Sequence, residues 1–141
     1  MTALKRFLAV PVLRLFGTVA ALPQDLFRLQ SPDRNTEVLV EARDSLSLSI
    51  LRGTRVLAVF SPLELRIEGI PALSLAPRSV TVDSVKAVIR PVVPEKRKLI
   101  PDVYRQLTLR FGADWSLIVR VYNDGVAYRY RLSYPGEITV Q

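Results

Sequence analysis

From Thr36 onward, apolar and polar residues alternate with a period of two, which places side chains on opposite faces of a β-strand. Val38, Val40 and Ala42 alternate with Glu37, Glu41 and Arg43, with Leu39 interrupting the polar row. Leu46, Leu48 and Ile50 alternate with Ser47 and Ser49. Arg55 to Phe60 is a further apolar run, and Gly53-Thr54 ahead of it suits a tight hairpin. Leu63, Leu65 and Ile67 alternate with Glu64, Arg66 and Glu68, with Pro62 placed where its missing N–H does least harm. Gly69 to Pro77, with two prolines and one glycine, reads as a loop.

Val80 and Val82 share one parity, whereas Val85, Ala87 and Ile89 share the other, in a strand signal that runs to Val93. The phase slip predicts a bulge or short break at Asp83-Ser84. Pro91, Pro94 and Pro101 enclose the charged run Glu95-Lys96-Arg97-Lys98, a second loop or a crossover. Leu107, Leu109 and Phe111 alternate with Gln106, Thr108 and Arg110, and Gly112-Ala113-Asp114 reads as a turn. Trp115, Leu117, Val119 and Val121 then oppose Ser116, Ile118, Arg120 and Tyr122. Asn123-Asp124-Gly125 is the strongest hairpin signal, since these residues tolerate positive φ. Val126, Tyr128, Tyr130, Leu132 and Tyr134 alternate with Ala127, Arg129, Arg131 and Ser133. About eight strands at this spacing, with no amphipathic helix after residue 30, predict an all-β, antiparallel β-sandwich.

Residues 1–22 differ from the rest. Lys5 and Arg6 precede an apolar stretch from Phe7 to Leu22, and Val19-Ala20-Ala21 supplies small residues for cleavage. That order predicts a secretory signal peptide over 1–22, a linker over 23–30 and the β-sandwich over 31–141. Arg14 inside the short apolar stretch argues against a stable membrane span. A helix packed on the domain is the other reading of this segment.

The 141 residues suit one domain and exclude a (β/α)8 barrel, which needs roughly 250. With no Cys and no His, the chain lacks disulfides, thiolate nucleophiles, Cys/His zinc sites and imidazole catalysis. The net charge is +7. Loss of residues 1–21 would remove Lys5, Arg6 and Arg14 and no acid, leaving seventeen basic against thirteen acidic residues, a net +4.

Glycoside hydrolysis needs two carboxylates flanking one bond. Glu64 and Glu68 instead suit a wet sheet face, and Asp44, Asp114 and Asp124 have turn chemistry. Arg110, Arg120, Arg129 and Arg131 fall on the solvent parity of three consecutive strands, a cationic stripe that fits an acidic partner, a docked domain or solvent. Nucleic-acid sheets add stacking aromatics to such a face. Here Tyr128, Tyr130 and Tyr134 take the apolar parity and only Tyr122 joins the arginines, which excludes nucleic acid as the expected partner. Trp115, Tyr128 and Tyr130 could stack on sugar rings, but their parity assigns them to the core. No phosphate loop and no metal-ligand spacing is present. No catalytic or metal-binding residue is predicted, and no residue is singled out for carbohydrate binding.

Several motifs, in order, carry a family resemblance. They are Ser31-Pro32-Asp33, Ser61-Pro62-Leu63-Glu64-Leu65, and Lys96-Arg97-Lys98 with Asp102 and Tyr104. The most specific is Arg120-Val121-Tyr122-Asn123-Asp124-Gly125-Val126-Ala127-Tyr128-Arg129-Tyr130. Residues 31–140 thereby resemble roughly the first half of the N-terminal domain of glycoside hydrolase family 97. The sequence departs from the family pattern at Val93-Pro94, where a Trp-Gly-type pair is expected. The resemblance implies part of a galactose-mutarotase-like β-supersandwich. In the family that domain precedes a (β/α)8 barrel and a C-terminal β domain, in calcium-dependent α-glucosidases and α-galactosidases that are exported, usually to the periplasm. The family's catalytic acids lie outside the matched stretch, so none transfers to a residue here. The expected partners are the rest of a larger glycosidase and, through the full-length enzyme, an oligosaccharide. This chain alone is expected to be inactive, with no cofactor of its own. The alternative is a complete exported β-sandwich module that binds carbohydrate or a protein without catalysis.

Overall fold

The computed structural model describes residues 25–67, 74–90, 99–112 and 115–134. The signal segment over 1–22 therefore lies outside the described residues, as do Glu68, the Lys96-Arg97-Lys98 run, Asp114 and residues 135–141. Among the described residues eight strands form: β1 (Leu26–Gln30), β2 (Thr36–Ala42), β3 (Leu46–Arg52), β4 (Arg55–Phe60), β5 (Ser79–Ile89), β6 (Ile100–Phe111), β7 (Trp115–Val121) and β8 (Val126–Leu132). They make two antiparallel four-stranded sheets, β1-β2-β3-β4 and β5-β6-β7-β8, each a simple meander. The all-β sandwich predicted from the alternation is the fold observed.

The inner rows are those the period-two pattern selects. Leu29, Val38, Val40, Ala42, Leu46 and Leu48 of the first sheet meet Leu107, Leu109, Phe111, Trp115, Leu117, Val119 and Val121 of the second in one core. Phe111 and Trp115, paired across the β6–β7 turn, stack at 4.0 Å and 9°. β1 lies against β6 and β2 against β7. That stagger leaves β5 overhanging beyond β1, and β4 beyond β8. Val80, Val82 and Val88 of β5 are consequently 44–62% exposed, and Val56, Leu57, Val59 and Phe60 of β4 are 41–58% exposed.

Four details depart from the sequence reading. The linker expected over 23–30 contains β1, whose Phe27 and Leu29 point into the core and whose Arg28 pairs with Glu37 at 3.3 Å. Two inward residues are too few to give a periodic signal. The strand expected over Leu63–Ile67 is reduced to an isolated bridge at Ile67. Leu63 is held instead by single bonds, its N–H donating to Leu46 O at 2.7 Å and its carbonyl accepting from the Tyr130 hydroxyl at 3.3 Å.

The bulge expected at Asp83-Ser84 is absent, because β5 pairs with β6 without interruption from Ser79↔Arg110 to Ile89↔Ile100. An edge strand exposed on both faces tolerates valines on either parity, so its phase slip carries no backbone meaning. The irregularity falls at Ile50/Leu51 opposite β4. Finally, both predicted hairpins form, by different geometry. Gly53, at φ +59°, opens the two-residue β3–β4 turn as type II′ requires. The Tyr122–Gly125 loop closes through Tyr122 N–H to Gly125 O at 2.8 Å, with none of its residues at positive φ.

Leu117 is fully buried at the centre of β7, so Leu117→Ala should lower unfolding stability by about 2–5 kcal/mol. Val88→Ala, on the overhang, should change it by less than about 0.5 kcal/mol. Urea unfolding midpoints measure both, and equal losses would contradict the staggered packing.

Candidate functional site

Two groups of polar residues stand apart from the core. The first covers the outer face of the second sheet. Cross-strand register sets Arg110, Ser116 and Arg131 in one row, Thr108, Ile118 and Arg129 in the next, and Gln106, Arg120 and Ala127 in the third. Arg120 donates from Nε to Gln106 Oε1 at 2.9 Å, and its guanidinium carbon lies 4.4 Å from the centre of the Tyr104 ring. Tyr104 in turn packs on Tyr122 at 5.2 Å. A shallow, half-open hollow of about 130 Å³ lies among Ile118, Arg120, Tyr122, Ala127, Tyr128 and Arg129. That is well below the roughly 300–1,000 Å³ of enclosed small-molecule sites. A surface contact suits it better than an engulfed ligand.

The second group joins two turns. The Ser31 hydroxyl, fully buried, donates to Asp33 Oδ1 at 2.6 Å and accepts from Thr36 N–H at 3.0 Å. Asn35 donates to the Asp33 carboxylate from its backbone N–H at 3.1 Å and from Nδ2 at 2.9 Å. Arg34, between them, takes a φ of 63°. Across the sandwich, Asp33 N–H donates to Asn123 Oδ1 at 3.1 Å. The Ser31-Pro32-Asp33 and Asn123-Asp124-Gly125 motifs, ninety residues apart, therefore meet. The Ser31 hydroxyl, followed by the Asn35 backbone N–H, holds the Asp33 carboxyl below the ordinary aspartate value. A carboxylate stabilised in its charged form is suited to organising a turn and poorly suited to donating a proton.

The remaining candidates fall as follows. Glu64 bonds Arg66 two residues away, and Asp44 and Asp124 sit exposed in hairpin turns. Among the described residues, no group of three or more Asp or Glu side chains is arranged to hold a metal ion. Trp115 is core, at 5% exposed, and Tyr130 is half-buried, with burial raising its hydroxyl pKa. Tyr128, assigned to the core by parity, is 41% exposed because β8 is an edge strand, and its ring meets Phe60 at 6.1 Å and Tyr130 edge-on at 6.4 Å rather than a facing sheet. Tyr104 and Gln106 were not recognised as partners of Arg120. The sequence places Gln106 on the parity of Thr108 and Arg110, but the alternation is read only from Gln106 onward, which leaves Tyr104, two residues earlier on the same face of β6, out of the strand.

With the fold and these groups placed, comparison with known proteins is informative. The family described as glycosyl-hydrolase 97 N-terminal matches residues 29–141. A retaining alpha-galactosidase of Bacteroides thetaiotaomicron is 27% identical over 116 residues, spanning 80% of this chain and 17% of that protein. A glycoside hydrolase family 97 enzyme from Pseudoalteromonas sp. strain K8, solved in complex with acarbose, superposes with a TM-score of 0.66 at 16% identity. A variant in complex with panose gives 0.67 at 17% identity. Each structure is matched over 81% of this chain and 19% of the other. The chain thus spans about a fifth of the length of the relatives it matches.

The Asp33 turn yields a pH test. A folded-state pKa below the unfolded value contributes stability that is complete above the unfolded value and is lost as pH falls through the folded one. The Asp33 carboxyl, followed by NMR, should therefore titrate below ordinary aspartates, and Ser31→Ala should move its midpoint upward. An unmoved midpoint in Ser31→Ala would contradict the assignment to the Ser31 hydroxyl.

Proposed function

The chain belongs to the N-terminal domain family of glycoside hydrolase 97 enzymes, and we propose from this that it is the non-catalytic β-sandwich portion of a larger α-glycosidase. The hydrolysis of α-glycosidic bonds is the work of the full-length enzyme, on residues outside this stretch. One observation carries this reading. Both sheets end in overhanging strands with apolar rows left bare, as expected where further polypeptide completes the structure. The share of the relatives' length that the chain spans supports it.

The chemistry agrees. Carboxylate pairs that cleave glycosides stand about 5–9.5 Å apart around the bond. Here the described carboxylates are spread over turns and outer strand positions, several of them engaged by Arg28, Arg43 or Arg66. The calcium implied by the family resemblance finds no donor set among the described residues, and no step is assigned to it in this chain. Export of the whole protein to the periplasm or beyond is part of the proposal, supported by the basic, apolar and small-residue order of residues 1–22.

The purified chain, supplied with calcium, should release no nitrophenol from nitrophenyl α-glucoside or α-galactoside above a mock preparation. Turnover that follows the chain through successive purification steps would overturn the proposal.

A further inference from the structure

The outer face of the β6–β8 sheet has a charge pattern that the fold does not require. Arg110, Arg120, Arg129 and Arg131 have no carboxylate within ion-pairing distance among the described residues, whereas Arg28 and Arg66 each pair with one and Arg43 with two. Arg110 and Arg131 flank Ser116, roughly 10 Å apart by strand spacing, and Arg129 lies one row along β8. Among the described residues the acids of this face are Asp83, on β5 in the Gln106–Arg120 row but two strands from Arg120, and Asp102, two residues beyond Tyr104 along β6, and neither lies in the rows of Arg110, Arg129 and Arg131. Arg120 is already oriented by Gln106 and the Tyr104 ring, so little of it is left to order on binding. Between the cations, Ile118 and Ala127 give the hollow an apolar floor.

We propose that this face docks a carboxylate-bearing protein surface. Its anchors are Arg120 and Arg129, which line the hollow, and Arg110 and Arg131, one row beyond Arg129 along the sheet. Arginine and tyrosine around an apolar floor are the residue types that dominate protein contacts, and planar guanidinia take carboxylates in pairs of hydrogen bonds. A polyanion held by backbone charge alone would need neither the hollow nor the ordered Arg120–Tyr104 stack. That the docked surface is supplied by the rest of the same enzyme rests on the proposed function. The chemistry of the face does not.

Isothermal titration of the full chain with poly-L-glutamate, at about 0.15 M salt to screen diffuse attraction, tests this. Saturable binding is expected, weakened about tenfold or more by R129E/R131E. The charge-matched control R52E/R55E, on the exposed β3–β4 hairpin, should stay within about twofold of the parent. R110Q/R131Q provides a milder variant should the double reversal fail to fold by circular dichroism, and it should weaken binding in the same direction. Absence of binding, equal losses in the two charge reversals, or tighter binding of polygalacturonate through the same arginines would overturn the proposal.

Discussion

The structure depends on apolar burial between two sheets offset so that each leaves one edge strand uncovered. Each meander offers one apolar row per strand, and burial of those rows is the main force available to a chain without disulfides. Where β1 meets β6 and β2 meets β7, Leu29, Val38, Val40, Leu107, Leu109, Leu117 and Val119 are almost wholly excluded from water. The overhanging strands receive hydrogen bonds from one neighbour but no facing sheet. β5 is the extreme case, with eleven residues fully paired to β6 and apolar side chains exposed on both faces.

This stagger bears directly on function. A finished sandwich hides or blunts its edges, whereas these edges present valines and a phenylalanine to solvent. The family match, and the small share of its relatives' length that the chain spans, are consistent with its being part of a larger glycosidase. The hydrogen bond from Asp33 to Asn123 ties the β1–β2 turn to the β7–β8 loop. It gives the two sequence motifs a shared task in holding the sheets in register at that end. Asp33 and Asn123, one from each motif, are thus architectural.

Much of the fold was legible from alternation because β2, β3 and β6 each have one wetter and one drier face, and β7, buried on both, still sets Ser116 and Arg120 opposite its apolar row. Alternation failed where that condition failed. β1 is too short to show a period, and β5 is exposed on both sides, so its change of phase looked like a bulge. Leu63 to Ile67 alternates cleanly, yet its backbone is held by Leu46 and Tyr130 rather than by a ladder. Tyr128 shows the limit for side chains, since parity gives the direction a residue points but not whether another sheet waits there. The outer-face arginines were visible from parity, whereas the Gln106 and Tyr104 partners that orient Arg120 required the β6 register. Asn123 was read as a turn former through positive φ, but it acts through its side chain across the sandwich.

The central claim is that the two overhanging strands are unfinished surfaces, and sedimentation velocity of the chain over a range of concentrations tests it most directly. The account predicts association that grows with concentration and is suppressed by V59K and V82K, which place a charge on each overhang. A monodisperse monomer at every concentration, unaffected by those substitutions, would contradict it.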